Sequence, residues 1–306
     1  MTCPAKYRVI QQKLTPTLAS LTTAIKEELD LALSLEMPEM RARVLLRPED
    51  SRNEEWLHDS GVQRKLDHHR FRSSYLSSLP RPTLLHNLSS GPRIICGIIS
   101  SREAQQKTPS DAHQNILQWM MDAATGREKV PENLAQRTLI LSLASIRTTA
   151  MTMTHAMYDL CAYLELYKLD SLLKESQRFN PVFRFVTFNR IFHKALSLSD
   201  GTHPAGTRIA GPSHAMLEDP VHIRENSESA QKFLFSLTDS SNMGFGYRKH
   251  ACPGRFYASN EMKLVLANLL LRYKLKLPHT TERPRNITID SDMFPDPRAR
   301  LYVRKR

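Results

Sequence analysis

Cys252 sits in the run Phe245-Gly-Tyr-Arg-Lys-His-Ala-Cys252-Pro-Gly-Arg255, seven positions after an aromatic residue and just ahead of a helical pattern. A thiol at a helix N-terminus feels the positive end of the helix dipole, and Lys249, His250 and Arg255 add charge of the same sign. Both effects lower the thiol pKa and favour the thiolate. A thiolate is a soft ligand for iron, zinc or copper, or a nucleophile. A cysteine that only fills space needs neither flanking glycines nor a basic cluster. Two further groups carry polar chemistry. Ser145, Arg147, Thr148, Thr149, Thr152 and Thr154 set hydroxyls and a cation into and after an apolar run. Glu175 and Arg178 share a face if their stretch is helical, but as an isolated pair they contribute only roughly 0.2–0.5 kcal/mol.

These residues need elements to hold them. Pro253 suits the first turn of a helix. From Arg255 to Leu277, Ala258, Met262, Val265, Leu266, Leu269, Leu270 and Tyr273 form one apolar face at helical period. Pro131 to about Leu166 is the longest helical signal. Leu139 to Ile146 is apolar nearly all round, the pattern of a helix through a protein's centre. Hydroxyls on such a helix usually donate to the carbonyl one turn back. Leu169 to Phe179 is a third helix, carrying Glu175 and Arg178, and leads into Asn180-Pro181.

Towards the N-terminus, residues 5–35 read as one or two helices broken at Thr15-Pro16, and Asn53–Leu57 as a short helix. Leu79-Pro-Arg-Pro-Thr-Leu and Gly91-Pro-Arg read as loops, and Ile94–Ile99 as strand or helix. A helix follows from Thr108 with Pro109 at its first position, a face of Ile116, Leu117, Met120, Met121 and Ala124, and Gly126 as its stop. After Phe183 the period becomes that of short strands, with Asp200-Gly201 as a hairpin turn and Thr207-Arg-Ile-Ala as a further strand. Ile287-Thr-Ile289 and Leu301-Tyr-Val303 read as a closing hairpin.

The chain has 306 residues, 41% hydrophobic and 24% charged, an ordinary globular composition. No run of 18 apolar residues encodes a membrane span, and the first residues hold no signal-peptide core. Four cysteines lie far apart without paired spacing, which argues against zinc and a disulfide framework and for a reducing compartment. The net charge of +12 comes from scattered basic residues without a nucleic-acid recognition motif. A solvated surface, or a basic face for an acidic protein partner, accounts for it better than nucleic acid does.

Taken in order, the motifs resemble those of the cytochrome P-450 (haem-thiolate monooxygenase) family, in particular fungal members of secondary metabolism. The family's loop reads Phe-x-x-Gly-x-(Arg/His)-x-Cys-x-Gly. Phe245, His250, Cys252 and Gly254 match it, and Arg248 stands at the family's glycine. Ala144-Ser-Ile-Arg-Thr-Thr149 lies where the family has (Ala/Gly)-Gly-x-(Asp/Glu)-Thr-Thr, with Ser145 for a glycine and Arg147 for the acid. Glu175-Ser-Gln-Arg178 resembles the family's Glu-x-x-Arg helix.

The resemblance implies a mainly α fold with small β-sheets, incomplete at the N-terminus and internally shortened. Residues 1–130 would be a partial N-terminal helical region and 131–306 a haem-binding core. It implies Cys252 as the axial thiolate of a haem iron, with Arg190 and His250 at the haem propionates and Phe245 and Gly254 in the cofactor loop. Thr148 would help deliver protons to dioxygen. Phe183–Thr187 and the region before Thr148 would line the pocket of a hydrophobic substrate. Glu175 and Arg178 would be structural, and a third arginine normally completes their network, for which Arg224 is a candidate. Electrons would come from NADPH through a flavoprotein reductase docked around Lys249 and Arg255. Relatives sit on the endoplasmic reticulum by an N-terminal anchor that this chain lacks, which would leave it cytoplasmic or peripheral. The alternative is a truncated relative without catalysis, because Arg248 occupies a position that calls for positive φ.

Overall fold

A computed structural model describes residues 9–34, 81–104, 115–163, 168–220, 234–240, 242–277, 282–296, 298–299 and 301–306. Asn53–Leu57, Thr108–Gln114 and Arg224 lie outside the described residues. Seven α-helices are named here: α1 Leu18–Ser34, α2 Arg81–Ala104, α3 Ile116–Ala123, α4 Pro131–Ala162, α5 Leu169–Phe179, α6 Ser213–Glu218 and α7 Arg255–Arg272. The described strands are short and pair two by two, all antiparallel. β1 Val186–Ile191 pairs with β4 Arg208–Gly211, and β2 Leu196–Leu198 with β3 Gly201–His203. β5 Tyr273–Lys276 pairs with β8 Tyr302–Lys305, and β6 Ile287–Ile289 with β7 Asp292–Phe294.

Two compact units divide the chain. The first comprises Met1–Ala150 and Phe256–Val265. A single-turn π-helix, Ile10–Leu14, precedes α1, with the break at Thr15 and Pro16 that the sequence marks. Ile25 and Leu29 of α1, Ile95 and Ile99 of α2, Leu117 and Met120 of α3 and Leu134 of α4 are buried. α2 corrects the reading of two loops, for it runs unbroken through Gly91 and Pro92. Proline disfavours a helix interior, but buried Ile95, Ile98 and Ile99 supply the packing that overrides local propensity. α3 begins at Ile116, and the expected start at Thr108 and Pro109 lies outside the described residues. Asn115 caps it, its side-chain oxygen accepting from the Gln118 amide at 3.1 Å.

The second unit comprises Met151–Arg255 and Leu266–Arg306. Its buried centre includes Met151, Met153, Ala156 and Tyr158 from α4, and Leu172 and Leu173 from α5. Burial on α4 is therefore concentrated at 151–159. The more apolar stretch from Leu139 to Ile146 leaves Ile140 54% exposed, which corrects the expectation of an all-round buried segment there.

The tail departs from the expected hairpin. Ile287–Ile289 turns back at once onto Asp292–Phe294, with Asp290 at φ 52 in the turn. Tyr302–Lys305 instead pairs with Tyr273–Lys276. α7 accordingly stops at Arg272. Tyr-Lys-Leu-Lys alternates apolar and polar, a strand pattern that the helical reading of 255–277 absorbed. The β2–β3 turn falls on Ser199-Asp200, and Gly201 at φ 133 opens β3.

Candidate functional site

The loop around Cys252 is built by its own backbone. The Cys252 amide donates to the Phe245 carbonyl at 2.6 Å, closing the loop, and a turn of 3₁₀ helix, Arg248–His250, fills it. Gly246 permits this closure. It sits at φ 81, and a Cβ there would meet the His250 carbonyl oxygen at 2.9 Å. Arg248 also has positive φ, at 50, the conformation the glycine comparison called for. The Phe245 ring stands edge-on to buried Phe235 at 4.9 Å between centroids. Pro253 precedes the helix instead of opening it: Gly254 is the N-cap and α7 starts at Arg255.

Cys252 is solvent-exposed as a residue, yet its thiol is crowded by the loop. That crowding pushes its pKa up, while hydrogen bonds from the Gly254 and Arg255 amides and the Arg255 guanidinium pull it down. The lowered pKa expected from charge alone is thus corrected: desolvation outweighs the dipole and the cations. The same groups show what the site accepts. A cysteine on an exposed loop whose sulfur receives backbone N–H bonds suits a thiolate ligand, because a bound cation replaces the proton and the amides stabilise the anion. A Cβ at Gly254 would stand 4.0 Å from the sulfur, an ordinary van der Waals contact.

α5 presents Glu175 and Arg178 as expected. Nε and Nη2 of Arg178 reach one carboxylate oxygen at 2.9 and 2.8 Å. The pair is half-buried, with the Arg178 side chain 19% and the Glu175 side chain 42% exposed. Among the described residues no second arginine joins them, and Arg178 instead covers the Phe179 ring at 3.8 Å. The helix's buried face carries Gln177, whose side chain lies where a Cβ on Gly244 would go. That contact ties α5 to the residue just before Phe245.

Arg190 lies on β1 opposite Ile209, and His250 is exposed at the end of the 3₁₀ turn. Thr148 belongs to the first unit. Its hydroxyl donates to the Ala144 carbonyl at 2.6 Å, the one-turn-back bond expected of a helical threonine. Ser145 bonds the Ser142 carbonyl at 3.1 Å.

The cytochrome P450 family model matches residues 165–302. The protein "Ent-kaurene oxidase P450-4" of Gibberella fujikuroi is 52% identical over 374 residues, covering 98% of this chain and 73% of the relative. A cytochrome P450 monooxygenase of Emericella nidulans is 37% identical, covering 98% and 70%.

The chain belongs to the cytochrome P450 family.

The ligand-free structure of the cytochrome P450 TbtJ1 shares its fold, with a TM-score of 0.69 at 17% identity over 98% of this chain and 80% of that one. As a cytochrome P450, the protein is a haem-thiolate monooxygenase acting on a hydrophobic molecule, with electrons from NAD(P)H through a reductase. The alignment to the Gibberella relative spans 374 positions while this cytochrome P450 has 306 residues. It therefore opens gaps within the chain, and the relative carries internal segments this chain lacks.

One polar cluster of this P450 escaped the sequence reading. Arg283 donates through Nε to Asp159, through Nη1 to Asn286 Oδ1 at 2.7 Å and the Pro284 carbonyl at 2.8 Å, and meets His155 Nδ1 through Nη2 at 3.0 Å. His155 Nε2 faces the Met293 carbonyl at 3.3 Å. A carbonyl only accepts, so Nε2 carries the proton and Nδ1 accepts from Arg283. Burial is the main cause that holds the His155 pKa at about 4, with the guanidinium adding to it against the carbonyl's opposing pull. The available signal was His155 and Asp159 one turn apart on a face otherwise filled by Met151, Ala156 and Tyr158. Arg283, between Glu282 and Pro284, carried no periodicity to announce it.

Proposed function

We propose that Cys252 is the axial ligand of the haem and that the Phe245–Arg255 loop is its cradle. The observation that carries this is an exposed Cys252 whose sulfur receives the Gly254 and Arg255 amides inside the closed loop. The haem supplies the activation of dioxygen, in which one oxygen atom enters a C–H bond of the substrate and the other leaves as water with two electrons and two protons. The protein binds, orients and moves protons. Gly246 lets the loop close without a side chain in its way, and Gly254 caps the helix that follows. Arg190 and His250 neutralise the propionates, a planar carboxylate suiting the guanidinium fork. Thr148, turned towards Ala144, holds a proton at Oγ1 and passes it on by rotating off that carbonyl. Arg147 cannot share that work at neutral pH, because guanidinium does not give up its proton.

Phe183 and Phe185 are 39% and 47% exposed and form an apolar wall for the substrate. Given the 52% identity to proteins named ent-kaurene oxidase, the substrate is ent-kaurene or a similarly apolar molecule. Glu175 and Arg178 act structurally, and the haem-binding core begins with α4 at residue 131. A flavoprotein reductase delivers the electrons at the basic face around Arg255, which places the chain at or beside the endoplasmic-reticulum surface. Among the described residues no helix is long and apolar enough to cross a membrane.

The deciding experiment is the absorption spectrum of the haem-loaded, reduced chain with carbon monoxide. A thiolate-type Soret band that Cys252→Ala abolishes is the expected result. A non-thiolate band, or a band that survives the substitution, means that another group holds the iron.

A further inference from the structure

The side chains of Arg283, Asp159, Asn180 and Asn286 close a ring. Arg283 Nε donates to Asp159 Oδ1, and Asn180 Nδ2 donates to Asp159 Oδ2 at 3.0 Å. Asn286 Nδ2 donates to Asn180 Oδ1 at 2.6 Å, and Arg283 Nη1 donates to Asn286 Oδ1 at 2.7 Å. Asn286 Nδ2 also reaches the Met293 sulfur at 3.1 Å. All three guanidinium nitrogens are used, as are both carboxylate oxygens. The ring is nearly dry, with side-chain exposures of 14% for Arg283 and 7% for Asp159. Its members come from three places: α4, the residue just past α5, and the segment entering β6.

What the ring holds is specific. The β6–β7 hairpin that follows Asn286 is stitched to the chain leaving α5. The Met293 amide donates to the Val182 carbonyl at 3.1 Å, the Arg184 amide to the Ser291 carbonyl at 2.6 Å, and Phe183 bridges Asp292. Position therefore passes from Arg283 to the hairpin and from the hairpin to Val182–Arg184, the stretch that carries Phe183 and leads to Phe185. The exposed Glu175–Arg178 pair makes no comparable link among the described residues.

We propose that Arg283 is a positioning residue for the oxidation: its ring with Asp159, Asn180 and Asn286 sets the β6–β7 hairpin, and through it the Val182–Phe185 wall, against α4 and α5. This rests on the reading of Phe183 and Phe185 as the substrate wall. Arg283 is suited to the task because a planar fork fixes three directions at once, whereas a lysine ammonium would be a mobile point charge. His155 adds a condition. It faces Arg283 from α4, with Asp159 one turn along the same helix and the Met293 carbonyl on its other side, and it accepts from Arg283 only while neutral. Imidazolium would set like charge against guanidinium and end that bond.

Amide hydrogen exchange on the full chain tests the clamp, and ent-kaurene binding to the haem-loaded chain tests its purpose. In Asn286→Ala and Arg283→Lys, exchange at Arg184 and Met293 should quicken about tenfold or more, with the β2–β3 amides unchanged. Ent-kaurene affinity should fall while the carbon monoxide spectrum keeps its thiolate band. In the wild type, the same two amides should lose protection as pH falls from 6.5 towards 4, before the β2–β3 amides do. Asn286→Ala is the milder change and serves if Arg283→Lys does not fold. Equal acceleration at all amides, or none at Arg184 and Met293, overturns the proposal. Faster exchange with unchanged ent-kaurene affinity overturns it as well, since the wall would then not be the substrate's. Absence of ent-kaurene binding in the wild type would count against the substrate reading, while the exchange data would still report on the clamp.

Discussion

Arg248 holds φ 50 in a loop whose closure leaves little choice, because the Ala251 amide already donates back to its carbonyl at 3.0 Å. A non-glycine residue in the left-handed region costs roughly 1–2 kcal/mol. The guanidinium over the Tyr247 ring, 5.2 Å from its centroid, returns about 0.5–1 kcal/mol at an exposed site. Arg248→Gly should therefore raise the urea midpoint by the equivalent of roughly 0.5–1 kcal/mol and improve haem retention; an unchanged midpoint would mean the residue bears no strain. Gly246→Ala should do the reverse by about 1–2 kcal/mol, because it combines positive φ with a Cβ against the His250 carbonyl. His155 gives the clearest pH dependence. Its folded pKa of about 4 lies below the ordinary 6.5, so between those values the unfolded chain binds more protons than the folded one. Stability is full above pH 6.5 and is lost as pH falls towards 4, by about 3 kcal/mol from this residue. Denaturation at a series of pH values, repeated in His155→Gln, should show that slope disappear.

Two helices invite comparison at the scale of elements. α5 carries a Glu–Arg pair open to solvent on the glutamate side, and α4 carries Asp159 paired in a nearly dry site. Geometry alone would rank them together, but solvent separates them. Glu175→Gln should cost under about 0.5 kcal/mol, the value of an exposed helical pair. Arg283→Met leaves a buried carboxylate unpaired and should cost about 3–5 kcal/mol. Chemical denaturation of the two variants side by side checks the order, and equal losses would contradict it. α3 supplies a smaller case. Asn115 caps the helix and also accepts from Arg102 at 3.2 Å, so Asn115→Ala should lower stability by about 1–2 kcal/mol.

For the whole molecule, charge and missing segments matter most. With a net charge of +12, encounter with an acidic partner would be steered by long-range attraction, which salt screens within about 10 Å at 0.1 M. Stopped-flow reduction of the haem should slow steeply with added salt, and a salt-independent rate would remove the basic face as the docking surface. The gaps against longer relatives accord with apolar side chains left in water, among them Ile140 and Leu271, which is 75% exposed.

The sequence by itself determined the order of the motifs, the cysteine loop with its glycine-dependent turn, the helix carrying Glu175 and Arg178, and the extents of α4 and α5 to within a few residues. These are local properties: periodicity, caps and backbone permissiveness act over a turn or two. Tertiary structure decided what local pattern cannot reach. It ran α2 through Pro92, split the expected tail hairpin into two pairings, and turned the thiol's pKa upward by crowding. It also left Glu175 in water and gathered Arg283, Asp159, Asn180 and Asn286 from three distant stretches. Each of those outcomes depends on which surfaces exclude water, and desolvation belongs to the packed chain, since no segment read alone carries it.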